Sequence, residues 1–201
     1  FDWLKENASR FKVTLEKVSD SIGMFAVQGP KARELLEQVS GRSLADVARF
    51  CSAEASIAGM RCLLTRTGYT GEDGFEVLVW DSPVDHPDKA MTVWNRLLEA
   101  GGAFHIAPCG LAARDVLRLE AGMCLFGTDI DETTTPYEAR LGFTVKLQKS
   151  AFIGRERLEK QKQEGPKRTR IGLKLLEKGI PRAGFEVLKD DEEIGVVTSG
   201  T

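Results

Sequence analysis

The sequence predicts an α+β chain, and three features carry that reading. Strand-like and helix-like stretches interleave over the first 150 residues without a regular parallel βαβ repeat. Twenty glycines against seven prolines suit short runs joined by tight turns. Beyond a charged run at 160–170 the pattern is strand-like only, spaced as the opening of a small antiparallel sheet or barrel. At 201 residues the chain is long for one domain and comfortable for two. The expected division is an α+β region over 1–150, then a helix and the first strands of a truncated barrel over 151–201.

Taken in order, weak alternation predicts strands at 11–16 and 22–27, separated by the polar stretch 17–21. Gly29-Pro30 ends the second and opens a helix over 31–39, where Ala32, Leu35, Leu36 and Val39 recur at helical spacing before Gly41. Three short strands follow at 53–57, 60–67 and 75–80, with Gly59 and the segment 68–74 as turns. Pro87 introduces a helix over 88–100, closed by Gly101-Gly102, and a third helix spans 109–121. The stretch 127–137, rich in Asp and Thr, reads as a functional loop or surface crossing. A short helix at 154–163 runs into the charged segment 160–170, the best linker candidate, and strands are expected at 170–176, 185–188 and 193–198.

Composition narrows the function. With 28 Lys+Arg against 30 Asp+Glu the net charge is −2, so no large electrostatic term favours nucleic acid. The longest apolar runs, such as 75–80, fall far short of the roughly 20 residues that span a bilayer, so no membrane partner is expected. Cys51, Cys62, Cys109 and Cys124 lie far apart with no Cys-x-x-Cys pair, and His86 and His105 are isolated. No metal site is therefore expected, with the cysteines as buried reduced thiols. The chain opens at Phe1 without Met or a secretory signal, and is read as a fragment or processed piece.

Three segments could carry chemistry. Arg66-Thr-Gly-Tyr-Thr-Gly-Glu-Asp-Gly-Phe-Glu76 places glycines at 68, 71 and 74 but exits into a strand, which fits neither phosphate-binding loop. A hairpin whose glycines supply positive φ explains the spacing. In the strand that follows, Phe75, Val77 and Val79 share one face while Glu76, Leu78 and Trp80 share the other. A strand apolar on both faces is expected to be covered on both, so Glu76 needs hydrogen-bond donors, from an internal arginine or from a ligand with paired N–H groups. On the helix over 109–121, Ala112, Val116, Leu119 and Met123 gather on one side, with Leu111, Arg114 and Arg118 nearly opposite. Two arginines four apart repel slightly, and either solvent or an anion relieves them. Asp129-Ile-Asp-Glu132 lacks Ca²⁺-loop spacing and reads as a plain loop.

These segments, with Gly110-Leu-Ala-Ala-Arg-Asp-Val-Leu-Arg-Leu-Glu-Ala-Gly-Met123, Phe126-Gly-Thr-Asp-Ile-Asp-Glu-Thr-Thr-Thr-Pro136, Phe152-Ile-Gly-Arg-Glu156 and Val197-Thr-Ser-Gly-Thr201, resemble the aminomethyltransferase (T-protein) family of the glycine cleavage system. The resemblance spans nearly the whole chain. It implies transfer of the one-carbon unit from the aminomethyl-lipoyl arm of H-protein to tetrahydrofolate, with release of ammonia. Folate N5 would be the nucleophile, attacking an iminium-like carbon as ammonia leaves. The family's folate-contacting carboxylate and arginine fall on Glu76 and Arg114, and Tyr69 aligns with an aromatic near the pterin. A pterin edge is a paired N–H donor that a carboxylate accepts bidentately.

The resemblance also implies a cytoplasmic protein in a prokaryote or one of the mitochondrial matrix in a eukaryote. Other readings stay open: within the superfamily, the folate-binding module of a sarcosine or dimethylglycine dehydrogenase; in a different class, a non-enzymatic folate-binding protein of iron–sulfur assembly; and a purely structural middle piece with no activity of its own. The second carries a Lys-Gly-Cys-Tyr-x-Gly-Gln-Glu signature where this chain has Phe152-Ile-Gly-Arg-Glu156. The family's catalytic aspartate is expected upstream of Phe1, and a further arginine beyond Thr201. The 201 residues alone are therefore expected to be inactive.

Overall fold

The computed structural model describes residues 1–201, which divide into two units, Phe1–Cys109 and Gly110–Thr201. The first unit contains α1 (Asp2–Ala8), β1 (Gly23–Gln28), α2 (Ala32–Ser40), β2 (Ser52–Ile57), β3 (Met60–Thr65), β4 (Gly74–Val79) and α3 (Asp88–Gly101). Its four strands form one antiparallel sheet in the order β1-β4-β3-β2. Ala58 and Gly59 both take positive φ between β2 and β3, the two-residue turn that matches strand twist.

Alternation along the strands assigns each side chain to a face. Val27, Ile57, Cys62, Leu64, Phe75, Val77 and Val79 are buried on the inner face, against Leu35 and Leu36 of α2 and Val93 and Leu97 of α3. Both helices lie on that side, α2 over β2 and β4, α3 over β1, β3 and β4. Gly41 closes α2 in the left-handed conformation, its N–H donating to the Glu37 carbonyl.

The outer face carries two cross-strand rows of side chains. One runs Ala26, Glu76, Thr65, Ser52; the next runs Met24, Leu78, Leu63, Glu54. The expectation that β4 is covered on both faces does not hold for this chain. Glu76, Leu78 and Trp80 are half-buried and Met24 is exposed, while α2 and α3 both pack on the inner face.

The glycine expectation also needs correction. Of Gly68, Gly71 and Gly74 only Gly71 has positive φ. Gly68 and Gly74 lack side chains for want of room: a Cβ on Gly68 would collide with the Gln28 carboxamide, and one on Gly74 would lie 2.6 Å from the Val27 carbonyl oxygen.

The second unit holds α4 (Leu111–Glu120), α5 (Arg155–Glu164) and one antiparallel pair, β5 (Glu186–Lys189) with β6 (Glu192–Val196). Its one buried apolar side chain is Ala139. The run read as a linker contains the second half of α5 and an irregular segment in which Arg170 is tied to Glu138 and Ala139.

Two expected strands are absent, and for one reason. Phe11, Val13 and Leu15 alternate, as do Ile171, Leu173 and Leu175, yet both sets are exposed and neither segment pairs. Alternation prepares a strand; a ladder requires a partner edge. The expected barrel opening is therefore not seen: the only sheet in this unit is the antiparallel β5–β6 pair. Helix α1 has no apolar periodicity and buries nothing, so no signal announced it.

Gly74→Ala should lower the unfolding free energy by about 2 kcal/mol, since the colliding atoms are backbone and cannot step aside. Gly102→Ala, with open space around its Cβ position and a helical φ of −53°, should be neutral or slightly stabilising. Urea unfolding of both variants checks the contrast; equal effects would show that steric crowding at Gly74 is not the cause.

Candidate functional site

Glu76 sits at the centre of the sheet's outer face, and the loop before β4 is built around it. Arg66 closes that loop by a two-point pair with Asp73, Nε to Oδ1 at 3.0 Å and Nη2 to Oδ2 at 2.7 Å, while its Nη1 donates to the Val47 carbonyl at 2.8 Å. The Arg66 bond is the leading cause that holds the Asp73 carboxyl below its ordinary range. Gln28 braces the loop from β1: its Nε2 donates to the carbonyls of Thr67 at 3.1 Å and Phe75 at 3.2 Å, and its Oε1 accepts from Thr70. Tyr69 lies in this loop, half-buried.

Within the first unit, Glu76 receives a hydroxyl donor. Thr67 Oγ1 donates to Glu76 Oε2, and Thr65 Oγ1 stands 2.9 Å from Thr67 Oγ1. On one side of the Glu76–Thr65 pair the next row of the same face is apolar, Leu78 opposite Leu63. Thr65 could have been found by counting hairpin register, since it pairs with Glu76. Thr67 could not, because it reaches back through a local bend in which its N–H donates to the Thr65 carbonyl at 2.8 Å.

In the second unit the two arginines of α4 separate in role. Arg114 is exposed. Arg118, one turn on, has a side chain only 2% exposed, opposite Asp129 at 4%. Its five N–H donors are matched: Nε and Nη2 meet Asp115 Oδ1 at 2.7 Å, Nη2 also meets Ser199 Oγ at 2.9 Å, and Nη1 donates to Asp129 Oδ2 and, at 3.2 Å, to the Met123 carbonyl. No capacity remains for an external anion. Asp129 also accepts from the Leu125 N–H at 2.9 Å and from Thr198 Oγ1 at 2.5 Å.

The 127–137 segment is therefore irregular, as expected, but Asp129 within it is a buried ionic anchor. Its spacing from Arg118 carries no local pattern that would have revealed this. The apolar side read for α4 is likewise not a core face, since the helix buries only Arg118. No group of three or more His, Cys, Asp or Glu side chains is placed to hold a metal ion. No helix is long and apolar enough to cross a membrane, and the cysteines are free thiols, of which only Cys62 is buried as expected while Cys51 and Cys109 are exposed.

A family model described as the GCVT N-terminal domain matches residues 1–149. An aminomethyltransferase of Caldanaerobacter subterraneus subsp. tengcongensis is 46% identical over 201 residues, covering 100% of this chain and 52% of that protein. One of Bacillus subtilis is 43% identical, covering 99% and 54%. The crystal structure of glycine cleavage system aminomethyltransferase T from Bartonella henselae superposes with a TM-score of 0.82 at 36% identity, over 100% of this chain and 53% of that one. The chain thus spans about half the length of the curated relatives it matches.

The Arg118–Asp129 pair makes a pH prediction. Burial pushes the Asp129 carboxyl up, but the bonds from Thr198, Leu125, Ser199 and Arg118 together outweigh it and hold the group below its ordinary 3.8. A folded value below the unfolded one means that the stabilisation is complete above about 3.8 and is lost as the pH falls through the folded value. Asp129→Asn, which strands a buried guanidinium charge, should cost about 3 kcal/mol at neutral pH, and the gap to wild type should narrow in acid. Urea unfolding at pH 7 and pH 3 measures both; a gap independent of pH would refute the assignment.

Proposed function

Because the chain belongs to the GCVT N-terminal domain family, we propose that it is the folate-handling part of a glycine cleavage aminomethyltransferase. In this reading the protein moves the one-carbon unit from the aminomethyl-lipoyl arm of H-protein to tetrahydrofolate and releases ammonia. The observation that carries it is Glu76, a half-buried carboxylate presented on the outer sheet face beside an apolar cross-strand row.

That surroundings suit a pterin. A flat heterocycle with paired N–H groups on one edge needs a carboxylate to accept them and apolar surface to lie on, and Glu76 with the Leu63–Leu78 row offers both. When bound, tetrahydrofolate supplies the nucleophilic nitrogen that receives the carbon unit. Glu76 orients the ring edge and moves no proton itself, so its contribution is one of proximity. Tyr69 and Arg114 complete the proposed folate contacts, the arginine through charge.

The catalytic carboxylate is proposed to come from outside these 201 residues, since the chain spans about half the length of the relatives it matches. The β5–β6 pair is read as the opening of the small antiparallel barrel, following the folate-binding region over 1–150. Aminomethyltransferase names on the matched relatives favour this function over a sarcosine or dimethylglycine dehydrogenase module or an iron–sulfur assembly protein. Their bacterial origin supports a cytoplasmic setting over a mitochondrial one.

In the intact gene product, Glu76→Gln should weaken tetrahydrofolate binding about 30- to 1,000-fold, since an amide donor would face a ligand donor at a cost of roughly 2–4 kcal/mol. Stability should move much less. Arg114→Ala should also weaken binding. Titration calorimetry beside thermal melting separates this from a structural role, in which melting temperature falls while affinity holds.

A further inference from the structure

The hydroxyl contacts behind Glu76 have a fixed polarity. Each threonine hydroxyl carries one proton. Thr67 directs its proton to Glu76 Oε2, so the 2.9 Å contact between the two hydroxyls is made by the proton of Thr65, which is shared at the longer distance of 3.5 Å with the Glu76 carbonyl oxygen. The order is Thr65 to Thr67 to Glu76, with a carboxylate acceptor at the end.

Thr67 is itself held at both ends of its peptide. Its N–H donates to the Thr65 carbonyl at 2.8 Å, and its own carbonyl accepts from Gln28 Nε2 at 3.1 Å. On either side, Arg66 is pinned by Asp73 and Val47, and Gly68 has no space for a side chain because Gln28 fills it. The Thr67 backbone is thus held on both sides, leaving only χ1, a torsion that β-branching restricts, to place the hydroxyl oxygen.

A glutamate needs such a device. Its last torsion is broad, so the plane of an isolated, half-buried carboxylate is poorly defined. One strong bond to one oxygen from a fixed donor sets that plane. Resting on the reading of Glu76 as the folate carboxylate, we propose that Thr67, backed by Thr65, is a positioning residue. It fixes the plane in which Glu76 meets the paired N–H edge of the pterin, and it lowers the ordering cost of binding.

The test is titration of tetrahydrofolate, under anaerobic conditions, into the intact gene product and its variants. Thr67→Val, which keeps the shape and removes the proton, should weaken binding about tenfold, the scale of one hydrogen bond to a charged group. Thr67→Ser should restore affinity to within roughly twofold, since it returns the donor. In the Glu76→Gln background Thr67→Val should add nothing, because the aligned carboxylate is already gone. Thr65→Val should give a smaller loss than Thr67→Val and serves as the test if Thr67→Val does not fold. Unchanged affinity in the folded valine variants, or a loss of the same size in both backgrounds, overturns the proposal and leaves the reading of Glu76 intact if Glu76→Gln alone still loses affinity. Unchanged affinity in Glu76→Gln overturns that reading first.

Discussion

The constraint on which the first unit depends is the two-sidedness of β4. Phe75, Val77 and Val79 are fully buried beneath the two helices, and a shift of one residue would turn all three to the outer face. Each such side chain is worth roughly 1.5–3 kcal/mol of burial, so the register is strongly held. Glu76 lies between two of them and inherits that precision. Its position on the outer face is fixed by its neighbours' packing on the inner one, and a proposed binding group gains a rigid mount without contributing to the core.

The second unit is organised on a different principle. With almost no buried apolar side chain, it is held by polar ties: Arg118 and Asp129 gather α4, the Leu125 turn and the Thr198–Ser199 segment, while Glu138 gathers Arg168, Gln161 and the Thr135 backbone. Leu111 is 82% exposed and Leu176 98%. Such a unit relies on hydrogen bonds whose net worth is small individually, so the fully matched buried pair at Arg118 carries a disproportionate share.

Much of the first unit was legible in the sequence because its signals are local. Helical spacing at Ala32, Leu35 and Leu36 and alternation through 75–79 each report a face, and each face met the element it needed. Where the partner was absent the same signal misled, as at Phe11, Val13 and Leu15. Glu76 stood out as a carboxylate in an apolar strand. Its donor did not, because a bend of two residues brings Thr67 back to it. Asp129 was hidden for a related reason: charge in a loop looks solvated until the fold brings a buried guanidinium to it. The glycines were read for torsional freedom when two of them answer to crowding.

Strand order has a consequence for how the sheet assembles. β2, β3 and β4 follow one another along the chain, whereas β1 must close on β4 across a long separation, Gln28 opposite Gly74. Loop-closure entropy favours the consecutive hairpins as the early structure and leaves β1 to dock late. The brace that Gln28 lends the loop is therefore among the last features made and among the first to open. Native-state hydrogen exchange would register this as weaker protection in β1 than in β3; equal protection would assign both to one cooperative unit.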